Sequence, residues 1–158
     1  MKVMQTMAGA EVGGAEAFFV RLTGALHRAG VDQRVVIRRD AARARALRAA
    51  GTPPLELPFG GRTDFRTRPS LKREIERFRP DVVLAWMSRA SYAVPAGEGR
   101  YVLVGRLGGY YDLKYYRHCD HLIGNTGDIC RYIVGEGWPP HRRRRLTCGT
   151  AGTGGPAW

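Results

Sequence analysis

The sequence lacks the long apolar segments of a membrane or exported protein. No apolar run approaches the roughly 18 residues needed to span a bilayer. The N-terminal segment carries one lysine, and Gln5, Thr6 and Glu11 interrupt its apolar stretch, which makes it a poor signal peptide. We therefore expect a cytoplasmic protein. Peripheral contact with the inner membrane face is a further expectation, because the chain is basic.

Cysteine is scarce, and Cys119, Cys130 and Cys148 show no CxxC spacing. An odd number of cysteines without a pairing pattern predicts reduced thiols, as in a cytosolic protein. The run His118–His121 (HCDH) contains ligand types, but four consecutive residues at the entry to a strand cannot all converge on one ion. Zinc sites use separated ligand pairs. We therefore predict no metal site.

Acidic residues are also few. The chain has 14 Asp and Glu against 26 Lys and Arg, which gives a formal net charge of +12. A basic chain indicates an anionic partner, such as a nucleotide, a phosphorylated substrate, a nucleic acid or an anionic membrane surface. Specific nucleic-acid recognition is not expected, because no recognition helix, RRM or OB pattern appears.

The 158 residues do contain alternating strand and helix patterns. Short apolar runs of strand type alternate with amphipathic segments of helix type, which predicts an α/β fold with a doubly wound, mostly parallel, Rossmann-like sheet of about six strands. In such folds ligands bind at the carboxyl edge of the sheet. The predicted strands are Lys2–Met7, Gln33–Arg38, Leu55–Leu57, Val82–Trp86, Tyr101–Gly105 and His121–Gly124.

The C-terminal stretch breaks this alternation. Residues 139–158 contain four consecutive arginines and little hydrophobic periodicity. We predict one Rossmann-like domain over residues 1–140 and a disordered basic tail over 141–158.

The first predicted strand is followed by a glycine-rich loop. Gly13 and Gly14 stand at the start of the next helix, where free backbone N–H groups attract anions and glycine allows close approach of a ligand. The spacing is neither GxGxxG nor a P-loop, which argues against a nicotinamide-dependent dehydrogenase. A tight turn that simply needs glycine is the alternative interpretation.

Other candidates follow later strands. Arg106, Gly109 and Tyr110 begin a tyrosine-rich stretch that suits polar, ring-shaped or phosphorylated ligands, although some of its tyrosines are expected to pack. Arg89 follows the fourth strand and is either an anion contact or a solvated side chain next to a helix capped by Ser88. Asn125 follows the sixth strand and is a further candidate ligand contact, and Thr126 beside it is either another such contact or only the N-cap of the next helix. No side chain is persuasive as a catalytic base, so no catalytic residue is assigned.

Three stretches resemble glycosyltransferase family 4, which has the GT-B fold. The GGAE loop at residues 13–16 precedes an amphipathic helix, Arg79–Ser91 (RPDVVLAWMSRAS) resembles the family's "kPDVVhah" strand, and Gly108–Pro139 resembles the segment of the acceptor loop and the strand "cDhlIgnS". The last stretch is similar to bacterial cell-envelope glycosyltransferases, including those of lipopolysaccharide. The resemblance covers residues 2–140.

The resemblance implies an N-terminal, acceptor-binding domain. The family's donor-binding domain, with its E-x7-E signature, has no counterpart here, and residues 141–158 stand where an IPNGVD-type strand is expected. A truncation or a reading-frame slip near Pro139 is the hypothesis for this loss. The loop after the fifth strand lacks the histidine that many relatives carry. The substrate-binding residues carried over or inferred are Gly13, Gly14, Arg89, Arg106, Gly109, Tyr110 and Asn125.

The function expected from these observations is that of the N-terminal half of a glycosyltransferase, inactive alone. The complete enzyme would move a sugar from a nucleotide-sugar donor, with no separate cofactor, to a lipopolysaccharide-type glycan or lipid-linked acceptor. Self-association through the face between the domains is expected. The alternative is a non-enzymatic nucleotide- or nucleic-acid-binding Rossmann-like module, which the charge favours and which predicts steep salt dependence.

Overall fold

The computed structural model describes residues 1–10, 13–138 and 145–149, and it confirms the α/β prediction. Two 3-10 turns, Gly61–Thr63 and Leu113–Tyr116, join the regular elements. The strands are β1 (Lys2–Met7), β2 (Asp32–Arg38), β3 (Leu55–Leu57), β4 (Val82–Trp86), β5 (Val102–Leu107), β6 (His121–Gly124) and β7 (Arg145–Cys148). The helices are α1 (Gly14–Arg28), α2 (Ala41–Ala49), α3 (Thr67–Phe78), α4 (Met87–Ala93) and α5 (Gly127–Gly135).

All described strands belong to one parallel sheet. Its order is β3-β2-β1-β4-β5-β6-β7, so the strand order reverses between β1 and β4. Every strand therefore ends at the same edge, and the loops that follow β1, β5 and β6 meet beside the reversal point, where doubly wound folds bind ligands.

Both faces of the sheet are covered, as a parallel sheet requires. One face packs Met7 and Trp86 against α1 and α2 through Phe19 and Leu47, all of them fully buried. The other face forms the larger core with α3, α4 and α5. Its members include Leu71, Val83, Leu103, Tyr116, Leu122 and Ile133.

Two helices begin at residues whose side chains cap them. Asp40 caps α2, with its carboxylate accepting from Arg43 N at 3.0 Å, and Thr126 caps α5, with its hydroxyl accepting from Ile129 N at 3.2 Å. The expectation that Ser88 caps α4 is wrong. Trp86 occupies that N-cap position and Ser88 lies inside the helix, because α4 follows β4 directly and Met87, with φ of 63°, makes the turn.

The sheet has seven strands rather than six. Arg145–Cys148, in the segment expected to be disordered, pair with β6 in parallel register from His121↔Arg145 to Gly124↔Cys148. An edge strand needs only backbone pairing on one side and one apolar contact, here Leu146 against the core, so its polar sequence hides it. The predicted disorder of residues 141–144 and 150–158 concerns residues outside the described ones.

A second correction concerns the cysteines. Cys130 in α5 and Cys148 in β7 form a disulfide with their Cα atoms 5.8 Å apart, whereas reduced thiols were expected. Their separation of 18 residues matches no short spacing motif, and only the placement of β7 beside β6 brings the two together. Cys119 is buried and takes no part in this bond. None of the described helices has the length and apolar character needed to cross a membrane.

Candidate functional site

A cleft of about 440 Å³ opens at the carboxyl edge of the sheet. It lies where the N-terminus of α1 faces the ends of β5, β6 and β7. Its volume is within the usual range for small-ligand sites, about 300–1,000 Å³. The residues that line it are Gly14, Ala15, Phe18, Arg106, Gly108, Asn125 and Gly149.

The described residues of the loop before α1 pack against the Glu16 side chain. The buried carboxylate of Glu16 accepts a hydrogen bond from Ala10 N at 2.9 Å, and Arg43 donates to the Ala10 carbonyl. A side chain at Gly9 or Gly13 would overlap the Glu16 carboxylate. These glycines are thus needed for close packing of the loop over Glu16.

The N-terminus of α1 is open towards the cleft. Gly13 is the N-cap residue in an extended conformation, and no side chain among the described residues caps the helix. The first-turn N–H groups of a helix have no partner within it and carry its positive dipole end. A Cβ at Gly14 would meet no atom within 4 Å, so nothing described in the structure obstructs approach at this point.

Arg106 is the buried cation of the cleft. The structure places it inside β5 rather than in the following loop, and it is 7% exposed. Its guanidinium carbon lies 4.5 Å from the ring centroid of Trp86 and 5.1 Å from that of Phe18. Its Nη2 donates to Asn125 Oδ1 at 2.6 Å. Cation–π contacts of this kind are most favourable where water is excluded.

The charge of Arg106 is not neutralised by any described carboxylate, since none of the ion pairs among the described residues includes it. Its Nη1 is buried without a hydrogen-bond partner in the same part of the chain. Burial lowers the pKa of Arg106, although the nearby Tyr111 acts in the opposite direction. The group remains a cation at neutral pH, because a guanidinium is not deprotonated in proteins.

The tyrosine-rich stretch forms a rim over α5. Tyr110 is 63% exposed, its hydroxyl donates to the Asp128 carboxylate, and its ring packs edge-to-face on Tyr132 at 5.4 Å. A Cβ at Gly109 would be in ordinary contact with the Tyr111 ring at 3.5 Å. Gly109 and Tyr110 therefore lie next to the cleft without lining it.

Arg89 is not in the cleft. It lines a separate cavity of about 50 Å³ with Phe59, Asp64 and Tyr92. Arg89 lies within α4, whose first residue Met87 has a φ of 63° that the residue type does not indicate. Of the predicted residues, the structure thus brings Gly14, Arg106 and Asn125 together, with Gly13 directly before Gly14.

The run His118–His121 has separate structural contacts. The His118 ring contacts the carbonyls of Ser91 and Val94 at 2.8 and 2.9 Å, and His121 contacts the Thr147 hydroxyl at 2.7 Å. Burial lowers the pKa of His121, and Arg145 adds to this. Within the described ranges, no three His, Cys, Asp or Glu side chains are grouped to hold a metal ion.

Phe18 and Trp86 are site residues that the sequence did not predict. Both fit an apolar pattern, Phe18 on a helix and Trp86 at the end of a strand, and such a pattern indicates a core residue. Their role in holding Arg106 depends on the pairing of β1 with β4 and of β4 with β5. No local pattern contains that information.

Known proteins with related sequences match most of the chain. The model of Glycosyltransferase Family 4 matches residues 12–150. The lipopolysaccharide core biosynthesis glycosyltransferase LpsD of Rhizobium meliloti is 37% identical over 141 residues, which is 87% of this chain and 40% of LpsD. LpsE of the same organism is 35% identical over 162 residues, which is 98% of this chain and 45% of LpsE. The chain thus spans less than half the length of these relatives.

The fold has a counterpart among solved structures. The crystal structure of Anabaena Alr3699/HepE in complex with UDP superposes with a TM-score of 0.68 at 16% identity, and the match covers 94% of this chain and 44% of that protein. At this identity the likeness establishes the fold.

Proposed function

The chain belongs to glycosyltransferase family 4, and we propose that it is the N-terminal, acceptor-binding part of an enzyme that transfers a sugar from a nucleotide sugar to a lipopolysaccharide-type acceptor. The observation that carries this proposal is the cleft between Arg106 and the N-terminus of α1, which no described side chain caps. Two relatives named for lipopolysaccharide core biosynthesis support the acceptor class. The UDP complex of the structural relative supports a nucleotide-sugar donor.

The 158-residue chain by itself is expected to be inactive. Glycosyl transfer requires the donor carbon and the acceptor hydroxyl to be held together, and this positioning supplies a large part of the rate enhancement. In the proposal, the second domain of the longer relatives holds the donor diphosphate, and the cleft described here is one wall of the site. Self-association through this wall is part of the proposal, because the same edge would face the second domain.

A chimera tests the proposed function. Residues 1–138 are joined to the C-terminal half of LpsD, and transfer of labelled sugar to core lipopolysaccharide is measured over a panel of nucleotide sugars. We expect transfer by the chimera and none by the 158-residue chain. A folded chimera that transfers no sugar from any donor, while full-length LpsD is active in the same assay, would contradict the proposal. Transfer by the chain alone would contradict the requirement for a second domain.

We also propose peripheral contact with an anionic membrane, through α3 and the turn before it. Phe65 is 85% exposed at the tip of that turn. In the fully described stretch 65–79, Glu76 is the one exposed acidic residue, so the surface is strongly basic. An exposed aromatic ring among cations is typical of interfacial helices. The exposed cations are Arg66, Arg68, Lys72, Arg73, Arg77 and Arg79.

Vesicle binding tests this contact. We expect the chain to bind phosphatidylcholine vesicles only when they contain phosphatidylglycerol, and to be released by high salt. Phe65→Ser should weaken binding by about tenfold, because the ring no longer enters the acyl boundary. Val134→Ser removes another exposed apolar side chain, on α5, and should change nothing. Equal binding by Phe65→Ser and the unmodified chain would exclude this surface.

A further inference from the structure

Arg106 raises a question that the proposed function leaves open, namely why a cation is buried in the wall of an acceptor cleft. Resting on that function, we propose that Arg106 recognises an anionic group, a carboxylate or a phosphate, carried by the acceptor sugar. The cleft is then specific for a charged sugar rather than for a neutral one.

The immediate surroundings of Arg106 favour binding of an anion. Burying a charge is unfavourable unless it is paired, and a guanidinium presents five N–H donors. The described residues provide two aromatic rings and one neutral acceptor, Asn125 Oδ1 at 2.6 Å, and leave Nη1 buried without a partner. A carboxylate or phosphate would supply both the counter-charge and the acceptors, because both match the fork geometry of arginine.

The opposite wall of the cleft favours the same ligand. The N-terminus of α1 faces Arg106 across the cleft, and Gly14 and Ala15 line it without a capping side chain. A helix of 15 residues carries a positive partial charge at this end, which attracts anions. Arg106 and the positive end of α1 therefore face the same volume. The Glu16 carboxylate lies beside Gly13 in the first turn of α1, but it is not among the described residues that line the cleft.

The rings and the volume suit a sugar. Phe18 lines the cleft beside Arg106, and an aromatic ring offers an apolar surface to the C–H face of a pyranose. The space of about 440 Å³ exceeds what an isolated inorganic anion needs. Since Arg106 is fixed by Trp86 and Asn125, it recognises one charged substituent at one position of the sugar ring.

The experiment uses the 158-residue chain and four probes. Glucuronate carries a carboxylate, glucose 6-phosphate carries a phosphate, glucose is the neutral control, and UDP represents the donor diphosphate. Dissociation constants are measured by calorimetry and by amide chemical shifts of Gly14 and Gly108. We expect at least one anionic sugar to bind at least about tenfold more tightly than glucose, the ratio expected for one charge-assisted contact.

Variants test whether Arg106 causes the preference for anionic sugars. Arg106→Gln should remove the tenfold preference, and Arg106→Lys should retain part of it, because lysine keeps the charge without the fork. Arg45→Gln makes the same charge change at an exposed position on α2 and should have no effect. If Arg106→Gln does not fold, Gly108→Leu serves instead. A Cβ at Gly108 meets no atom within 4 Å, so leucine fills the cleft without disturbing the core and should abolish binding of both anionic sugars.

Each outcome decides the inference. A preference for glucuronate alone or for glucose 6-phosphate alone supports it and identifies the anion. Equal weakening of glucose by Arg106→Gln, or an effect on UDP only, overturns it. Unchanged anionic-sugar binding in Gly108→Leu also overturns it. If the chimera transfers sugar but the Arg106→Gln chain keeps the preference for anionic sugars, only this inference is refuted. If the chain binds anionic sugars but the chimera transfers no sugar, only the proposed function is refuted.

Discussion

Trp86→Ala is expected to lower the free energy of unfolding by about 3–5 kcal/mol, the usual range for removing a large buried aromatic side chain. Trp86 is fully buried at the end of β4. Its ring contacts Phe19 edge-to-face at 5.3 Å and Phe18 at 5.8 Å, and its Nε1 donates to Gln5 Oε1 at 3.2 Å. Alanine would leave a cavity at the centre of the core between the sheet and α1, and the rigid strands could not close it.

Urea unfolding followed by circular dichroism measures this loss. Trp86→Phe is the matched control, because it keeps a ring under Arg106 and loses only part of the volume and the hydrogen bond to Gln5. We expect a smaller loss of about 1–2 kcal/mol for this variant. Equal midpoints for Trp86→Ala and the unmodified chain would show that the ring does not hold the core together.

The parts of the fold that could be predicted are those with a strong local signal. The continuous apolar run Val82–Trp86 predicts a strand covered on both faces, and the structure places this strand at the centre of the sheet. Asp40 and Thr126 mark helix starts because an N-cap requires a side-chain acceptor at one position. By contrast, β7 depends on an available edge of β6, and a four-residue segment with one strongly apolar side chain, Leu146, does not indicate a strand.

The candidate site likewise has a part that the sequence predicts and a part that it does not. Gly14, Arg106 and Asn125 come together because parallel strands end at one edge, so the ends of β1, β5 and β6 were sufficient to group them. Arg89 also follows a strand, β4, yet it lies within α4 and lines a separate cavity. The contact of Arg106 with Trp86 depends on the register between β4 and β5, which pairs these two residues directly.

Gly105→Ala is expected to destabilise the chain by about 1–3 kcal/mol through overpacking. Gly105 lies within β5 and its φ is not positive, so its backbone does not require glycine. The added Cβ would instead lie 2.7 Å from the Tyr116 ring, 2.9 Å from a Leu122 methyl and 3.1 Å from Cys119 Sγ. All three side chains are fully buried, so none can move aside without shifting its own neighbours.

Gly108→Ala is the control for that loss, since it adds the same methyl group three residues further along the chain. A Cβ there meets no atom within 4 Å. We therefore expect a free energy of unfolding that equals that of the unmodified chain to within about 0.5 kcal/mol or is slightly higher. Because Tyr116 ends the turn Leu113–Tyr116, Gly105→Ala should also shift the amide resonances of that turn, whereas Gly108→Ala should leave them near their original positions. Equal free energies of unfolding for Gly105→Ala and Gly108→Ala would mean that Tyr116 does not pack on β5. Other contacts would then have to hold the tyrosine-rich rim beside the cleft.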